Sequence, residues 1–211
     1  MTQLNEHFTQ EDEAILLDTI ERWTARELKP IVKEYDHADR YPLHIVEQMK
    51  EMGLFGATIS PAYGGLGLPA TTYAKLVMIV SSVWMSITGI FNSHLIMALA
   101  VEKFGTQLQK DEWLPKFASG EIRGALALTE PDAGTDLQAI RTQAKWNGSE
   151  YVINGTKTWI SNGIEGSAVA LLVKTDASAQ PRYKGMSLFI APKHSGFSVG
   201  RRMEKLGYKC I

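Results

Sequence analysis

Three Asn-Gly pairs follow one another closely, Asn147-Gly148, Asn154-Gly155 and Asn162-Gly163, and they divide the chain into two kinds of sequence. Asn-Gly is the strongest short hairpin signal, because both residues tolerate positive φ. Around these pairs Tyr151, Ile153, Thr158 and Ile160 alternate in strand fashion, and further strands read at 168–173, 186–190 and 197–199. Before residue 120 the periodicity is helical. Thr9 with Asp12 makes a capping-box start, and Leu16, Ile20, Trp23 and Leu28 follow at helical spacing. Pro30 kinks or ends that helix. A second helix is expected over 43–52, stopped by Gly53, and apolar helices over 70–104. Thr106 and Gln109 cap a last one carrying Trp113, Leu114 and Phe117. The expected class is α+β: an all-α domain over 1–120, then an antiparallel β-sandwich or barrel-like domain over 121–211.

Composition narrows the function classes. A formal net charge of −1, without any block of Lys or Arg, offers no electrostatic footprint for nucleic acid. The single cysteine, Cys210, rules out an internal disulfide and fits a reducing compartment. The polar, acidic start resembles neither a signal nor a transit peptide, so a cytoplasmic location is expected. Residues 76–101 carry no Lys, Arg, Asp or Glu and are long enough to span a bilayer. Ser81, Ser82, Ser86, Thr88, Gly89, Asn92, Ser93 and His94 interrupt that run, which points instead to a buried pair of core helices and no membrane.

Residues 126–136 combine a strand with a tight polar turn. Leu126 and Leu128 lead into Thr129-Glu130-Pro131 and then Ala133-Gly134-Thr135-Asp136. Pro131 fixes one backbone angle, and Gly134 lets backbone approach a ligand that a β-carbon would block. With the hydroxyls of Thr129 and Thr135, this suits a ring system along the strand and phosphates at the turn. Taken singly, each residue also fits a plain β domain.

Two more segments join it: Trp159-Ile160-Ser161-Asn162-Gly163, and the Gly-rich loop Tyr63-Gly64-Gly65-Leu66-Gly67. In this order and spacing the three segments resemble the acyl-CoA dehydrogenase family across essentially the whole chain. The resemblance implies an FAD-dependent enzyme that desaturates an acyl-CoA thioester to the enoyl-CoA, with an electron-transfer flavoprotein as acceptor. It places Leu126, Leu128 and Thr129 along the flavin, Gly134 and Thr135 at the pyrophosphate, and Trp159, Ile160 and Ser161 over the ring, with Ser161 near N5. Thr135 also matches a substrate-contacting Ser, and Thr88, Phe91 and Leu95 would line the acyl pocket. Tyr183 and Lys184 sit in a polar loop that could meet the CoA moiety. Asp132 stands where the family has Gly.

The same resemblance implies that a carboxy-terminal helical bundle beyond Ile211 supplies the catalytic glutamate and much of a homo-oligomer interface. No acid in this chain matches that glutamate, so the chain alone is expected to be a poor catalyst, with an exposed apolar face. A non-catalytic truncated module, or an acyl-CoA oxidase or flavin monooxygenase on the same scaffold, are the other readings.

Competing motifs are weaker. Gly65-Leu66-Gly67-Leu68-Pro69-Ala70 matches a dinucleotide fingerprint and follows a possible short strand at 55–59. However, no acid lies about twenty residues on to hold a ribose, and no βαβ pattern surrounds it. His7, His37, His44, His94 and His194 are scattered without ligand spacing, so no metal is expected. Glu130, Asp132 and Asp136 lack calcium-loop spacing, and satisfying backbone N–H groups of their own turn is their expected job.

Overall fold

The computed structural model describes residues 8–194 and 196–211; the polar start and His7 lie outside the described residues. Helix α1 (Gln10–Trp23) begins with a reciprocal box: Asp12 donates its N–H to Thr9 Oγ1 at 3.1 Å, and Thr9 donates its own to Asp12 Oδ2 at 2.9 Å. A π-helical turn, Thr24–Leu28, carries the helix up to Pro30, where it ends, and α2 (Val32–His37) follows. Next come α3 (Leu43–Glu51), α4 (Ala70–Val83), α5 (Met85–Phe104) and α6 (Gln107–Ala118), the last opened by the Thr106/Gln109 box.

The charge-free run is thus two helices, broken at Trp84 (φ −148°, ψ 95°). By length and composition α5 could cross a membrane, but 61% of its most apolar stretch is buried inside the protein. Ile87, Ile90, Phe91, Met97 and Ala98 sit in a core shared with Ile20, Leu28, Met49, Phe55, Leu76 and Phe117. Ile96, Leu99 and Phe104 of α5 and Leu108 of α6 stay exposed.

The first strand begins six residues after α6 ends. β1 (Gly124–Ala127), β2 (Gln143–Trp146), β3 (Tyr151–Asn154), β4 (Ala168–Lys174) and β5 (Met186–Pro192) form one sheet. β4 is its centre. It pairs antiparallel with β5 from Ala168↔Pro192 to Lys174↔Met186, and parallel with β1 from Gly124↔Ala168 to Ala127↔Leu171. β2 meets β4 in parallel at Gln143↔Lys174 and forms a hairpin with β3.

The α+β class and the order, helices then sheet, hold. The sheet is mixed rather than antiparallel, because the chain leaves β1, makes the β2–β3 hairpin, and re-enters β4 at the end where β1 began. Period-two alternation places side chains on faces but carries no strand direction.

Several local expectations are corrected. Asn147-Gly148 does turn the β2–β3 hairpin, but Asn154-Gly155 closes β3 without one, and Asn162 lies in a turn over 161–165. Thr158 and Ile160 are not in a strand, since Trp159 between them has φ 58°, incompatible with extended backbone. Residues 197–199 are irregular, with Phe197 donating to His194 O at 3.0 Å. Residues 54–56 form a 3₁₀ turn instead of the start of a strand. Against this segment the Gly-rich loop folds back: Leu66, Gly67 and Leu68 donate N–H groups to the carbonyls of Gly56, Ile59 and Ala57 at 2.8, 2.9 and 2.8 Å. A β-carbon at Gly65 would collide with Ile59 O. The loop's glycine is therefore needed for chain packing, and the loop amides that a dinucleotide would use are spent on the protein.

Candidate functional site

β1 presents its residues to two sides. Ala125 and Ala127 pack with Val169, Ile160, Leu171 and Ala191, while Leu126 packs on the helical core. The strand then enters a four-residue turn, in which Glu130 N donates to Ala133 O at 2.8 Å and Ala133 N to Glu130 O at 3.1 Å.

The Glu130 side chain is turned inward. Its oxygens accept the N–H groups of Arg141 (2.6 Å) and Thr142 (3.0 Å) and the Lys157 ammonium (2.8 Å), and both side chains of the ion pair are more than nine-tenths buried. Burial alone would raise the Glu130 pKa; the Lys157 hydrogen bond and the backbone N–H groups of Arg141 and Thr142 overcome it and bring it down to about 2. Burial also lowers the Lys157 pKa, opposed by Glu130. Lys157 further donates to Leu128 O at 2.9 Å, and Thr158 N to Thr129 O at 2.9 Å.

The two sequence segments, 126–135 and 157–161, are thus joined by a buried ion pair and two bonds to strand carbonyls. Of the acids expected to satisfy their own turn, Asp136 does so, accepting from Gln138 N at 3.1 Å. Asp132 pairs with Arg141 at the surface, and Glu130 reaches across to another segment. Lys157 was not a sequence candidate; its only signal is its place two residues before Trp159.

Around this frame the remaining candidates are distributed as follows. Thr129 is half-buried at the strand end, and Gly134 and Thr135 are exposed in the turn. A β-carbon on Gly134 would meet nothing within 4 Å, and its φ is not positive, so neither chain packing nor backbone strain explains the glycine. Trp159 is 58% exposed and holds a left-handed backbone, uncommon for any bulky side chain. Ile160 packs against the β1 alanines, and Ser161 is half-buried beside it. Asn162 is also left-handed and is buried; its Nδ2 donates to Ile90 O at 2.8 Å and Gly124 O at 3.0 Å, pinning the Trp159 turn to both α5 and β1.

Thr88, Phe91 and Leu95 are buried in the helical core. Thr88 donates to Met85 O at 2.6 Å, and Phe91 meets Tyr73 edge-on at 6.2 Å. Tyr183 and Lys184 lie in an exposed 3₁₀ turn, Arg182–Gly185.

Between helices and sheet stands His94, fully buried. Its Nδ1 accepts the Gly124 N–H at 2.9 Å, and its Nε2 lies 3.1 Å from both Phe55 O and Phe117 O. Because a backbone amide can only donate, Nδ1 must be unprotonated and Nε2–H is the donor. Burial depresses the pKa to about 4, against the two carbonyl bonds that raise it.

This arrangement fits a planar, phosphate-bearing cofactor such as FAD. A strand end, an unfilled space at a glycine with no packing role, three hydroxyls and an exposed, strained indole lie on one rigidly tied frame. Among the described residues, no group of three or more His, Cys, Asp or Glu could hold a metal ion.

Comparison with known proteins places the chain among related sequences. The family models for the Acyl-CoA dehydrogenase N-terminal domain and middle domain match residues 10–121 and 125–211. The short-chain specific acyl-CoA dehydrogenase of Clostridium acetobutylicum is 36% identical over 205 residues, which cover 96% of this chain and 53% of that protein. Butyryl-CoA dehydrogenase from Megasphaera elsdenii superimposes with a TM-score of 0.88 at 26% identity, covering 98% of this chain and 55% of that one. Glutaryl-CoA dehydrogenase from Mycobacterium smegmatis, solved in complex with FADH2, does so with a TM-score of 0.80 at 27% identity, over 97% and 51%. The chain spans about half the length of the relatives it matches.

Proposed function

This chain belongs to the acyl-CoA dehydrogenase family, and on that premise we propose that it forms the helical and middle parts of an FAD-dependent α,β-dehydrogenase of acyl-CoA thioesters. The observation that carries the proposal is the Lys157–Glu130 pair, which locks the Thr129 strand end and the Trp159 turn into one frame. When bound, FAD supplies a ring able to take up a hydride. The chain's own residues hold and cover it. Thr129 and the strand backbone from Leu126 to Leu128 donate toward the ring, where donors stabilise negative charge. Gly134 and Thr135 offer backbone N–H groups to the pyrophosphate, and the Thr135 hydroxyl serves the substrate as well. Trp159 excludes water from the ring, with Ile160 behind it and Ser161 contributing a hydroxyl.

Glu130 is unsuited to be the catalytic base. Its carboxylate is held ionised by Lys157, and both of its oxygens are engaged, so it has little affinity for a substrate proton. No other acid of this chain is assigned that role. A cytoplasmic location, homo-oligomerisation and an electron-transfer flavoprotein as acceptor belong to the same proposal.

Titration of the purified chain with FAD, read by the visible spectrum and flavin fluorescence, tests it. Saturable binding is expected, weakened about tenfold by Thr129→Ala, the loss of one hydrogen bond, and by a similar factor by Trp159→Ala. Binding that neither substitution alters would remove the site assignment. Rapid reoxidation of the reduced flavin by oxygen would mark an oxidase instead.

A further inference from the structure

The three Asn-Gly pairs do not use their asparagines alike. Asn147 is exposed, and its Oδ1 accepts from Ser149 N and Glu150 N, both at 3.0 Å, inside its own turn. Asn154 is exposed at the end of β3. Asn162 is 2% exposed, and its side chain leaves its own turn altogether. Both hydrogens of Nδ2 are spent, one on Ile90 O at 2.8 Å and one on Gly124 O at 3.0 Å, while Oδ1 accepts nothing among the described residues. The side chain is held for its two donors alone.

Ile90 and His94 stand one turn apart on α5, and together they grip one residue of β1. His94 Nδ1 accepts the Gly124 N–H, and the Asn162 amide bridges Gly124 O to Ile90 O. This joint has no slack, since a β-carbon on Gly124 would lie 2.7 Å from Met97 Sδ, also on α5. The rest of the turn is as closely held. Gly163 N donates to Ile160 O at 2.9 Å and Gly166 N to Asn162 O at 2.7 Å. Arg123, which also bonds the Tyr41 hydroxyl, donates to Glu165 O at 2.8 Å, and Lys193 to Ile164 O at 2.8 Å. A β-carbon on Gly163 or Gly166 would fall 2.6 or 2.7 Å from a backbone carbonyl oxygen. At the exposed end of this rigid turn stands Trp159, three residues before Asn162.

We propose that Asn162 is a positioning residue for the flavin: from α5 and β1 its amide sets the Trp159 indole against the ring, so that the helical part of the chain determines how closely the ring is covered. The proposal rests on the FAD reading above. Asn162 itself touches no cofactor and acts through Trp159.

Three variants test it. Asn162→Asp keeps the shape and the tolerance of left-handed backbone but has no donor. Asn162→Gly keeps the backbone angle and removes the side chain. Ile20→Val, a truncation of the buried core in α1, supplies a comparable loss of stability in another part of the chain. Hydrogen exchange of the FAD-free chain, read by mass spectrometry, should run about tenfold faster over 159–166 in both Asn162 variants, with the β2–β3 hairpin unchanged. An indole in contact with an isoalloxazine ring quenches its emission. Bound FAD should therefore fluoresce more brightly in both Asn162 variants than in the wild type or Ile20→Val. In Trp159→Ala the rise should be at least as large, and adding Asn162→Gly should change it no further, as expected of a residue that acts through another.

Wild-type exchange and emission in Asn162→Asp would show that shape suffices, and would overturn the proposal. So would a further rise on top of Trp159→Ala, or an equal rise in Ile20→Val. A wild-type chain that binds no FAD removes the flavin reading and the proposal together; binding with unaltered emission in Asn162→Gly removes the proposal alone.

Discussion

Replacing Lys157 with methionine is expected to destabilise the protein by about 3–5 kcal/mol at neutral pH, among the largest effects of any single substitution in the sheet. The pair is more than nine-tenths buried on both sides, so removing the ammonium leaves an uncompensated carboxylate away from water. It also leaves Leu128 O without its donor, at the strand end that the flavin site needs. The loss should depend on pH in a defined direction. In the native chain Glu130 titrates near 2, below its ordinary value of 4.5, so it contributes stability above about pH 4.5 that fades as pH falls toward 2.

Without Lys157, burial dominates and the Glu130 pKa rises, so the variant sheds its charge at a higher pH than the wild type and the gap between them narrows as pH falls. Urea unfolding followed by circular dichroism at pH 7.5 and 4.5 measures both quantities. The double variant Glu130→Gln/Lys157→Met should recover about 1–2 kcal/mol, because a neutral amide oxygen still accepts from Arg141 N and Thr142 N. A loss below about 1 kcal/mol at pH 7.5 would show that the pair does not hold the two segments together.

Those segments illustrate what a linear reading can and cannot see. The capping boxes at Thr9 and Thr106 were legible because both partners lie within one helical turn. Strand existence at β4 and β5 was legible from apolar runs, but their direction was not, since a side-chain pattern is the same read either way. The flavin candidates around Thr129 and Trp159 stand out as short motifs, whereas the groups that bring them together do not. Lys157 meets Glu130 across 27 positions, and nothing in the residues between announces the meeting. Asn162 reads in sequence as half of a hairpin signal; its left-handed backbone is real, but it is used to aim a buried amide at Ile90 O and Gly124 O. The contact of Tyr208 with Gly89 escapes notice for the same reason, because the two are distant in sequence and their fit is steric.

His94 is the clearest case, and it carries the second large effect. As one of five scattered histidines it showed no metal-ligand spacing, and its partners are backbone groups of three remote segments, which no side-chain motif can encode. The imidazole is the polar joint between α5, α6 and β1. Its flanking rings, Phe55 and Phe117, meet it edge-on at 5.2 and 5.4 Å and keep water out. His94→Leu should therefore cost about 3–4 kcal/mol, because Gly124 N–H and two carbonyls are left buried without partners. His94→Gln, which keeps a donor and an acceptor, should cost about half of that.

The pH dependence distinguishes this joint from ordinary packing. A protonated ring would point Nδ1–H at the Gly124 N–H, so the folded state holds His94 neutral down to about pH 4, against an ordinary value of 6.5. A depressed folded pKa means stability that is fully present above pH 6.5 and is lost as pH falls toward 4, amounting to about 3 kcal/mol across the window. In both variants that slope should vanish, leaving the losses at lower pH from Glu130 and the other hydrogen-bonded carboxylates such as Glu13 and Glu27. Unfolding free energies at half-unit steps from pH 7.5 to 4 would show it, and an unchanged slope in His94→Gln would reassign the titration to another group. Because β1 hangs from this joint by the Gly124 bond and the folded state keeps the ring neutral down to about pH 4, flavin affinity should hold across the window while stability falls, and drop only where the chain unfolds.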